Sequence, residues 1–170
     1  MTATCQLKIY TGVSAGTESP AGDATNWNMQ STDAYDSTGT DYQTNKITVP
    51  STSNTYSYER WMRLSFSGTF NLIDNVLVYK SAGSLSDSNL DILAGTTTSA
   101  ATPITTVSSV ATTTLTSWDA VGEAIDITPG AGLVAAGYSD YFVTQLKVPS
   151  TVTTPGDAGA ITITFSYDES

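Results

Sequence analysis

Alternation of apolar and polar residues is the clearest pattern along the chain, and it predicts β-strands. It is most regular in residues 160–168, where Ile, Ile, Phe and Tyr at the odd positions alternate with Thr, Thr and Ser at the even positions. A period of two places one set of side chains on each face of a strand. Residues 160–168 therefore predict a half-buried strand.

The same pattern predicts further short strands between glycine- and proline-containing turns. They cover residues 5–13, 27–30, 46–49, 56–67, 70–80, 89–93, 104–110, 124–128 and 139–148. Segment 70–80 is apolar on both faces, which is typical of a strand in the middle of a packed structure. The best helical segment, 117–123, is short and interrupted by Gly122. We therefore predict an all-β fold: an antiparallel, jelly-roll-like β-sandwich of eight to ten short strands.

The length of 170 residues fits one domain, because β-sandwiches of this size need not divide. We predict a single domain over residues 1–170 with a long loop at about residues 14–45. That loop is rich in aromatic and acidic residues and carries Gly39 as a turn signal. The tract 96–116 is rich in Thr and Ser, but its recurring aliphatic residues predict ordered structure.

Charge narrows the choice of partners. The chain has 16 acidic and six basic residues, a formal net charge of −10, and 51 Thr or Ser residues. Binding to nucleic acid phosphates requires a cationic surface, so we exclude DNA and RNA as direct partners. The same charge repels anionic lipids, and no apolar run approaches the roughly 20 residues that span a bilayer. Because no basic and apolar leader follows Met1, we also expect no secretory signal.

Reactive groups are scarce in this sequence. It has no His, one Cys and four Lys, which leaves no Ser-His-Asp or Cys-His arrangement and no zinc-binding set. A carboxylate pair acting on a sugar and a calcium site remain as alternatives. The acids at 33–41 and the group Asp87, Asn89 and Asp91 could supply oxygen ligands, but neither has the spacing of an EF-hand. We predict no enzyme activity, no cofactor and no metal.

Three single residues allow more than one interpretation. Cys5 lies in an alternating run, and we expect it to pack in the core without a disulfide partner. We expect Trp118 to pack between strands. Arg60 interrupts an apolar strand face, so it either leans to solvent or pairs with an Asp while buried, or it anchors a partner.

Three segments carry a resemblance to a known class of protein. They are residues 60–71 (RWMRLSFSGTFN), residues 138–142 (YSDYF) and residues 154–169, which begin Thr-Pro-Gly and end Phe-Ser-Tyr-Asp-Glu. Together they resemble small virion proteins of tailed bacteriophages, in particular capsid decoration (cement) proteins. The resemblance covers roughly the second two-thirds of the chain. It implies a non-enzymatic protein that assembles in the host bacterial cytoplasm and binds the major capsid protein on the outer capsid surface of the virion, often as a homotrimer.

Candidate contact residues lie in two places. The edge of the first predicted strand near Lys8 and Tyr10 offers backbone groups for pairing with another chain. The loop that contains Trp27, Tyr35 and Tyr42 offers large aromatic contact area, although such loops also fold back and bury their aromatics. Alternatives to the virion protein are a carbohydrate-binding or host-recognition β-sandwich module and a cell-surface adhesin.

Overall fold

A computed structural model describes residues 2–11, 17–18, 29–31, 44–99, 115–153 and 156–170 of the chain. These residues form eleven β-strands and no helix. The strands are β1 (Ala3–Thr11), β2 (Thr17–Glu18), β3 (Asn54–Tyr56), β4 (Arg60–Gly68), β5 (Ile73–Leu85), β6 (Asp91–Thr97), β7 (Thr116–Ser117), β8 (Ala124–Asp126), β9 (Gly137–Tyr138), β10 (Tyr141–Pro149) and β11 (Gly159–Glu169).

The strands form two antiparallel sheets, which confirms the predicted β-sandwich. The large sheet has the order β2-β1-β4-β10-β6-β7, with β3 on β10 and β9 on β4, and the small sheet has the order β11-β5-β8. Among the described strands, the chain crosses between the sheets five times, from β4 to β5, from β5 to β6, from β7 to β8, from β8 to β9 and from β10 to β11. Such crossing connections are the feature that jelly-roll-type sandwiches share. Segment 70–80 lies in β5, the central strand of the small sheet, as predicted.

The core lies between the two sheets. Alternate residues of each strand enter it, so Met62, Leu64 and Phe66 of β4 face inward while Trp61 does not. Its buried members are Ala3, Ile9, Met62, Leu64, Phe66, Phe70, Ile73, Val76, Val78, Leu90, Ile92, Ala94, Trp118, Ile127, Phe142, Leu146, Val148 and Val152. Edge-to-face contacts connect some of the rings across the sheets, with centroids 5.0 Å apart for Phe66 and Tyr167. Aromatic pairs of this geometry add to the stabilisation that burial supplies.

The structure shows the burial of the three residues that allowed more than one interpretation, Cys5, Arg60 and Trp118. Trp118 is buried, donates its indole N–H to the Glu123 carbonyl at 2.7 Å and packs on Phe142, which confirms its core role. Cys5 is half-buried against the core as expected. Arg60 is only 2% exposed, which excludes the solvent-facing and partner-facing interpretations.

Two predicted segments differ from the strands observed. Residues 46–49 form no strand, yet their exposure alternates, with Ile47 and Val49 packed against the core. In this segment the alternation correctly predicted which side chains are buried, although the backbone does not pair with another strand. Segment 56–67 is divided, because Ser57 hydrogen-bonds through its backbone and hydroxyl to Leu146 and ends β3 before β4 begins at Arg60.

Other predictions fall partly or wholly outside the described residues. These are segment 104–110, residues 27–28 of segment 27–30, and most of the loop at 14–45 with Trp27, Tyr35 and Tyr42. The described Met29 and Gln30 are not in a strand. The remaining boundaries shift by up to five residues; the last strand, for example, begins at Gly159 and ends at Glu169, one residue beyond the predicted segment at each end.

Candidate functional site

The outer face of the large sheet, opposite the core, carries a concentrated group of aromatic and charged side chains. Strands β1 and β4 run side by side, with Lys8 opposite Arg63 and Tyr10 opposite Trp61. On the other side of β4, Val143 of β10 lies opposite Trp61. Directly opposed residues point to the same face of a sheet, so side chains from distant parts of the chain meet here.

Strand β9 completes this face. Tyr138 lies opposite Ser65 of β4, and Ser139 then accepts the backbone N–H of Leu64 on its hydroxyl at 2.9 Å. Ser139 also donates its own N–H to the Leu64 carbonyl. These contacts hold the segment between β9 and β10 against β4, and both Tyr138 and Tyr141 contact the Arg63 side chain.

Arg63 is surrounded by three tyrosine rings. The carbon of its guanidinium group lies 3.9 Å from the ring centroid of Tyr138, 4.6 Å from that of Tyr141 and 4.8 Å from that of Tyr10. Its Nε–H donates to the Tyr10 hydroxyl at 2.9 Å. We call these four residues the tyrosine–arginine cluster. A guanidinium group stacked in this way gains cation–π stabilisation and has a fixed orientation.

The cluster rests on a buried base. Tyr10, Trp61, Tyr141 and Val143 form a second apolar group separate from the core between the sheets. Tyr141 contacts Tyr10 and Trp61 edge to face, with centroids 5.5 and 5.4 Å apart. The Trp61 indole donates to the buried carboxylate of Glu59 at 2.8 Å. Because the aromatic base is buried, the rings that hold Arg63 have little freedom to move.

Glu18 on β2 connects the cluster to Lys8. Its carboxylate accepts the Tyr10 hydroxyl at 2.5 Å and lies 2.9 Å from the Lys8 ammonium group. Partial burial opposes the charged form of Glu18, but the hydrogen bonds from Tyr10 and Lys8 outweigh it and lower the pKa of the carboxyl group. Burial, together with the hydrogen bond to Glu18, raises the pKa of the Tyr10 hydroxyl. Glu18 is therefore anionic and Tyr10 neutral at physiological pH.

Among the described residues, no acceptor contacts the terminal nitrogen atoms of Arg63. In the part of the chain that the structure describes, Arg63 donates only its Nε–H to a protein acceptor, and its side chain is half-buried. The outer pair of amino groups forms a flat fork that matches the two oxygens of a carboxylate. With Lys8 and Arg63 against Glu18, this patch is locally cationic on a protein whose formal charge is −10.

Two of the five predicted contact residues belong to this site. The Lys8 side chain is 11% exposed and Tyr10 is 4% exposed, so both make most of their contacts within the protein. Trp27, Tyr35 and Tyr42 lie outside the described residues. Sequence analysis missed Glu18, Arg63, Tyr138 and Tyr141. The signal available for Arg63 was its parity, since it lies on the same face of its strand as Trp61 and opposite the apolar face.

The residues that the structure describes cover the predicted edge of the first strand at its two ends. Strand β2 pairs with Tyr10 and Thr11 alone. At the other end, the Ala3 N–H donates to the Glu169 carboxylate of β11 at 2.9 Å. A carboxylate at this position occupies a backbone donor that an added strand would otherwise use.

The acids proposed as calcium ligands are bonded within the protein where they are described. Asp87 accepts both the backbone and side-chain N–H groups of Asn89 at 2.8 Å, and these bonds lower the pKa of its carboxyl group. Asp91 accepts the Ser117 hydroxyl and lies 3.6 Å from Lys147. Among the described residues, no three acids or cysteines come together in a metal-binding group.

A shallow cavity near the end of the chain brings several acids together. Its volume is about 200 Å³, and Leu72, Asp74, Asp168, Glu169 and Ser170 line it. Ligand pockets usually have about 300–1,000 Å³. Asp74 and Asp168 both accept hydrogen bonds from Asn75, whose backbone is left-handed with φ of 49°. The two carboxylates therefore hold the irregularity in β5 at Asn75.

Comparison with protein-family models, with curated proteins and with solved structures finds no match for this chain. Among the described residues, no helix is long and apolar enough to cross a membrane.

Proposed function

We propose that this protein is a virion structural protein that binds the major capsid protein on the outer surface of a bacteriophage head and stabilises it. The resemblance of residues 60–71, 138–142 and 154–169 to capsid decoration proteins suggests this class. The observation that carries the proposal is the tyrosine–arginine cluster, because its residue types are those that dominate protein–protein binding energy. Two of the three segments contribute to it: Arg63 lies in the first, and Tyr138 and Tyr141 lie in the second.

The geometry of the cluster suits binding to another protein. Tyr, Trp and Arg are enriched at binding hot spots, and rigid aromatic side chains lose little conformational entropy on binding. Here the rings of Tyr10 and Tyr141 are buried, Tyr138 is 39% exposed and Arg63 is held between them. The partner therefore meets a preformed surface whose side chains need no ordering.

The charge of the site indicates what it contacts on the capsid. Arg63 presents a planar donor pair, and Lys8 adds a second positive charge that Glu18 offsets. We propose that an Asp or Glu side chain of the capsid subunit forms a bidentate ion pair with Arg63. The site is small, so tight attachment requires many copies or several sites in one oligomer.

Purified capsids provide the test. We expect R63A to weaken binding by about 2 kcal/mol, which is roughly 30-fold in Kd. R63K keeps the charge but lacks the planar fork, so we expect it to behave like R63A. K46A is the matched control, because it removes one positive charge from an exposed residue outside the site. Capsid binding by R63A equal to that of the unmodified protein would exclude this site, and no binding by the unmodified protein would exclude the function.

A carbohydrate-binding or host-recognition module is the second candidate. The observation that favours it is the exposed ring of Tyr138 beside the charged groups of Lys8 and Arg63, because sugars stack on aromatic rings and hydrogen-bond to charged side chains at their edges. Binding on a glycan array that is lost in Y138A but retained in Y56A would support it. An array without hits removes it.

A further inference from the structure

Strand β11 forms one edge of the small sheet and pairs on one side only. It is 11 residues long, and in the described part of the chain β5 is its sole neighbour. Both register shifts between the two strands leave an extra residue in β5, once at Ser81 and once beside Asn75. Strand β11 itself is therefore regular from end to end, without a bulge.

Three contacts show which way its backbone groups point. All three are made with the β5 side by even-numbered residues: Ser86 N–H to the Ala158 carbonyl at 3.0 Å, Ser81 Oγ to the Thr162 carbonyl at 3.3 Å, and Ser170 N–H to the Leu72 carbonyl at 3.1 Å. Backbone groups of successive residues in an antiparallel strand point to opposite sides. Hence the odd residues Ile161, Ile163, Phe165 and Tyr167 direct their N–H and C=O groups to the open edge.

This edge lacks the usual protection against pairing. Proteins block exposed edges with Lys, Pro, bulges or very short strands. Residues 159–167 contain no charged residue and no Pro, and none of them is fully buried. By contrast, a carboxylate covers one donor on the nearby edge of β1. Within the described part of the chain nothing covers the edge of β11, so it can accept another strand along its whole length.

We propose that the open edge of β11 pairs with β11 of a second copy of this chain, antiparallel, about a two-fold axis through Thr164. A two-fold axis perpendicular to the sheet keeps the core-facing side of β11 on the same side of the joined sheet in both copies. The residue on the axis then lies opposite the same residue of the second copy. Thr164 is the midpoint of Gly159–Glu169, so this register pairs the complete strand. Ile163 then opposes Phe165, and Thr162 opposes Ser166.

Charge favours this register over its neighbour. With the axis at Thr164, the acidic end of each strand lies opposite the end of the other strand that has small, uncharged residues. Asp168 then opposes Ala160, and Glu169 opposes Gly159. With the axis at Ile163, Glu169 would oppose Asp157 at both ends. Like charges directly opposite each other destabilise a strand pair.

The geometry at the axis permits a covalent test. Because the backbone groups of even residues point to β5, the two Thr164 residues form a non-hydrogen-bonded pair, with Cα atoms about 4.5 Å apart. A disulfide forms at Cα separations of about 4.4–6.8 Å. In a C5A background, we expect T164C to give a disulfide-linked dimer on mild oxidation. Neither T162C nor S166C should cross-link alone, but a mixture of the two should give a heterodimer.

The control is S67C, which places a thiol at an exposed residue of β4 away from the open edge. Circular dichroism establishes whether each variant is folded. If T164C is not folded, cross-linking in the mixture of T162C and S166C tests the proposal instead. These two substitutions should be tolerated, because Thr162 is exposed and Ser166 is partly exposed. Three results would overturn the proposal. They are a folded T164C that stays monomeric, cross-linking of S67C to the same extent as T164C, and a trimeric mass in light scattering without T164C cross-links. Capsid binding is measured separately through Arg63, so either proposal can fail without the other.

Discussion

Tyr10 is the residue that joins the charged and aromatic parts of the candidate site. Its hydroxyl group donates to Glu18 and accepts from Arg63, and its ring packs against Tyr141. Lys8 and Tyr10 were predicted as contact residues from their position on a strand edge. The structure adds that their polar atoms already bond to Glu18, so within the described residues the donors of this site without a protein acceptor belong to Arg63. No local pattern indicates this, because Arg63 lies 53 residues from Tyr10 along the chain.

Removal of the Tyr10 hydroxyl group tests this network. We expect Y10F to lower the free energy of unfolding by about 1.5–3 kcal/mol at pH 7, since hydrogen bonds to charged groups contribute this much. The folded state lowers the pKa of Glu18, so the stabilisation is present above the unfolded-state pKa and is lost as pH falls through the folded-state pKa. The difference between Y10F and the unmodified protein should therefore shrink in urea titrations below pH 4.

Y56F is the matched control for this titration. Among the described residues, the Tyr56 hydroxyl group accepts only a long, exposed hydrogen bond of 3.4 Å from Asn54. We expect its removal to change stability by less than about 0.5 kcal/mol at every pH. A Y10F effect that is equally large at pH 3 and pH 7 would contradict the role of Glu18.

Cys5 gives a second test at this scale. Burial raises the pKa of its thiol group to about 11. Only the thiolate reacts with disulfide reagents, so at pH 8 we expect the folded protein to react more than about 100-fold more slowly than free cysteine. The rate in urea should return to that of free cysteine. Fast reaction of the folded protein would show that Cys5 is exposed and ionised.

At the scale of elements, period-two patterning located the long strands and failed for the short ones. The sequence of β11 alternates throughout, and its observed bounds exceed the predicted ones by one residue at each end. Strands β2, β7 and β9 have only two residues each, too few to show a period. Their positions follow from pairing with β1, β6 and β4, which a local pattern cannot contain.

The contact between β5 and β11 depends on Gly83. Its φ is +84°, and a Cβ atom there would lie 2.2 Å from the Ala160 carbonyl oxygen. Gly122 has nearly the same φ, +85°, but a Cβ atom there would have no neighbouring atom within 4 Å. We expect G122A to cost about 1 kcal/mol from backbone strain and G83A at least about 3 kcal/mol, because β11 must also move.

Urea unfolding of the two variants separates strain from crowding. Equal decreases in the free energy of unfolding of G83A and G122A would show that β11 moves away from residue 83 at little cost. The register between β5 and β11 would then not depend on Gly83. G83A should also lower T164C cross-linking if the displaced strand no longer presents a regular edge.

At the scale of the whole molecule, the formal charge of −10 opposes association of two copies. Salt screens such repulsion, with a Debye length of about 10 Å at 0.1 M and about 3 Å at 1 M. One strand pair is also a small interface compared with the roughly 1,200–2,000 Å² of stable complexes. We therefore expect the dimer mass fraction in light scattering to rise with protein concentration and with NaCl between 20 and 500 mM, these being test conditions on the order of the screening range. A fraction that falls with salt would indicate ion pairs across the interface in place of strand pairing.

The candidate site could be predicted only in part, because its residues come from strands that are distant along the chain. Lys8 and Tyr10 share a face of one strand, which alternation shows directly. The cluster, however, also draws on β4, β9 and β10, and strand order depends on crossovers between the sheets. Charge and composition are sums over the chain, so they carry no information on which side chains are close in space.

The hydrogen bond from Ala3 to Glu169 joins the first and last strands across 166 positions. During synthesis, β1 emerges from the ribosome first and then waits for β4, while β5 waits for β11, which is translated about 80 residues after it. Contacts this distant slow folding, because loop closure precedes the stabilising contacts. The nascent chain can therefore pair β5 with β8, but the β11 side of β5 stays unpaired until nearly all of these strands have been made. Chaperones that shield extended segments should increase the yield of folded protein.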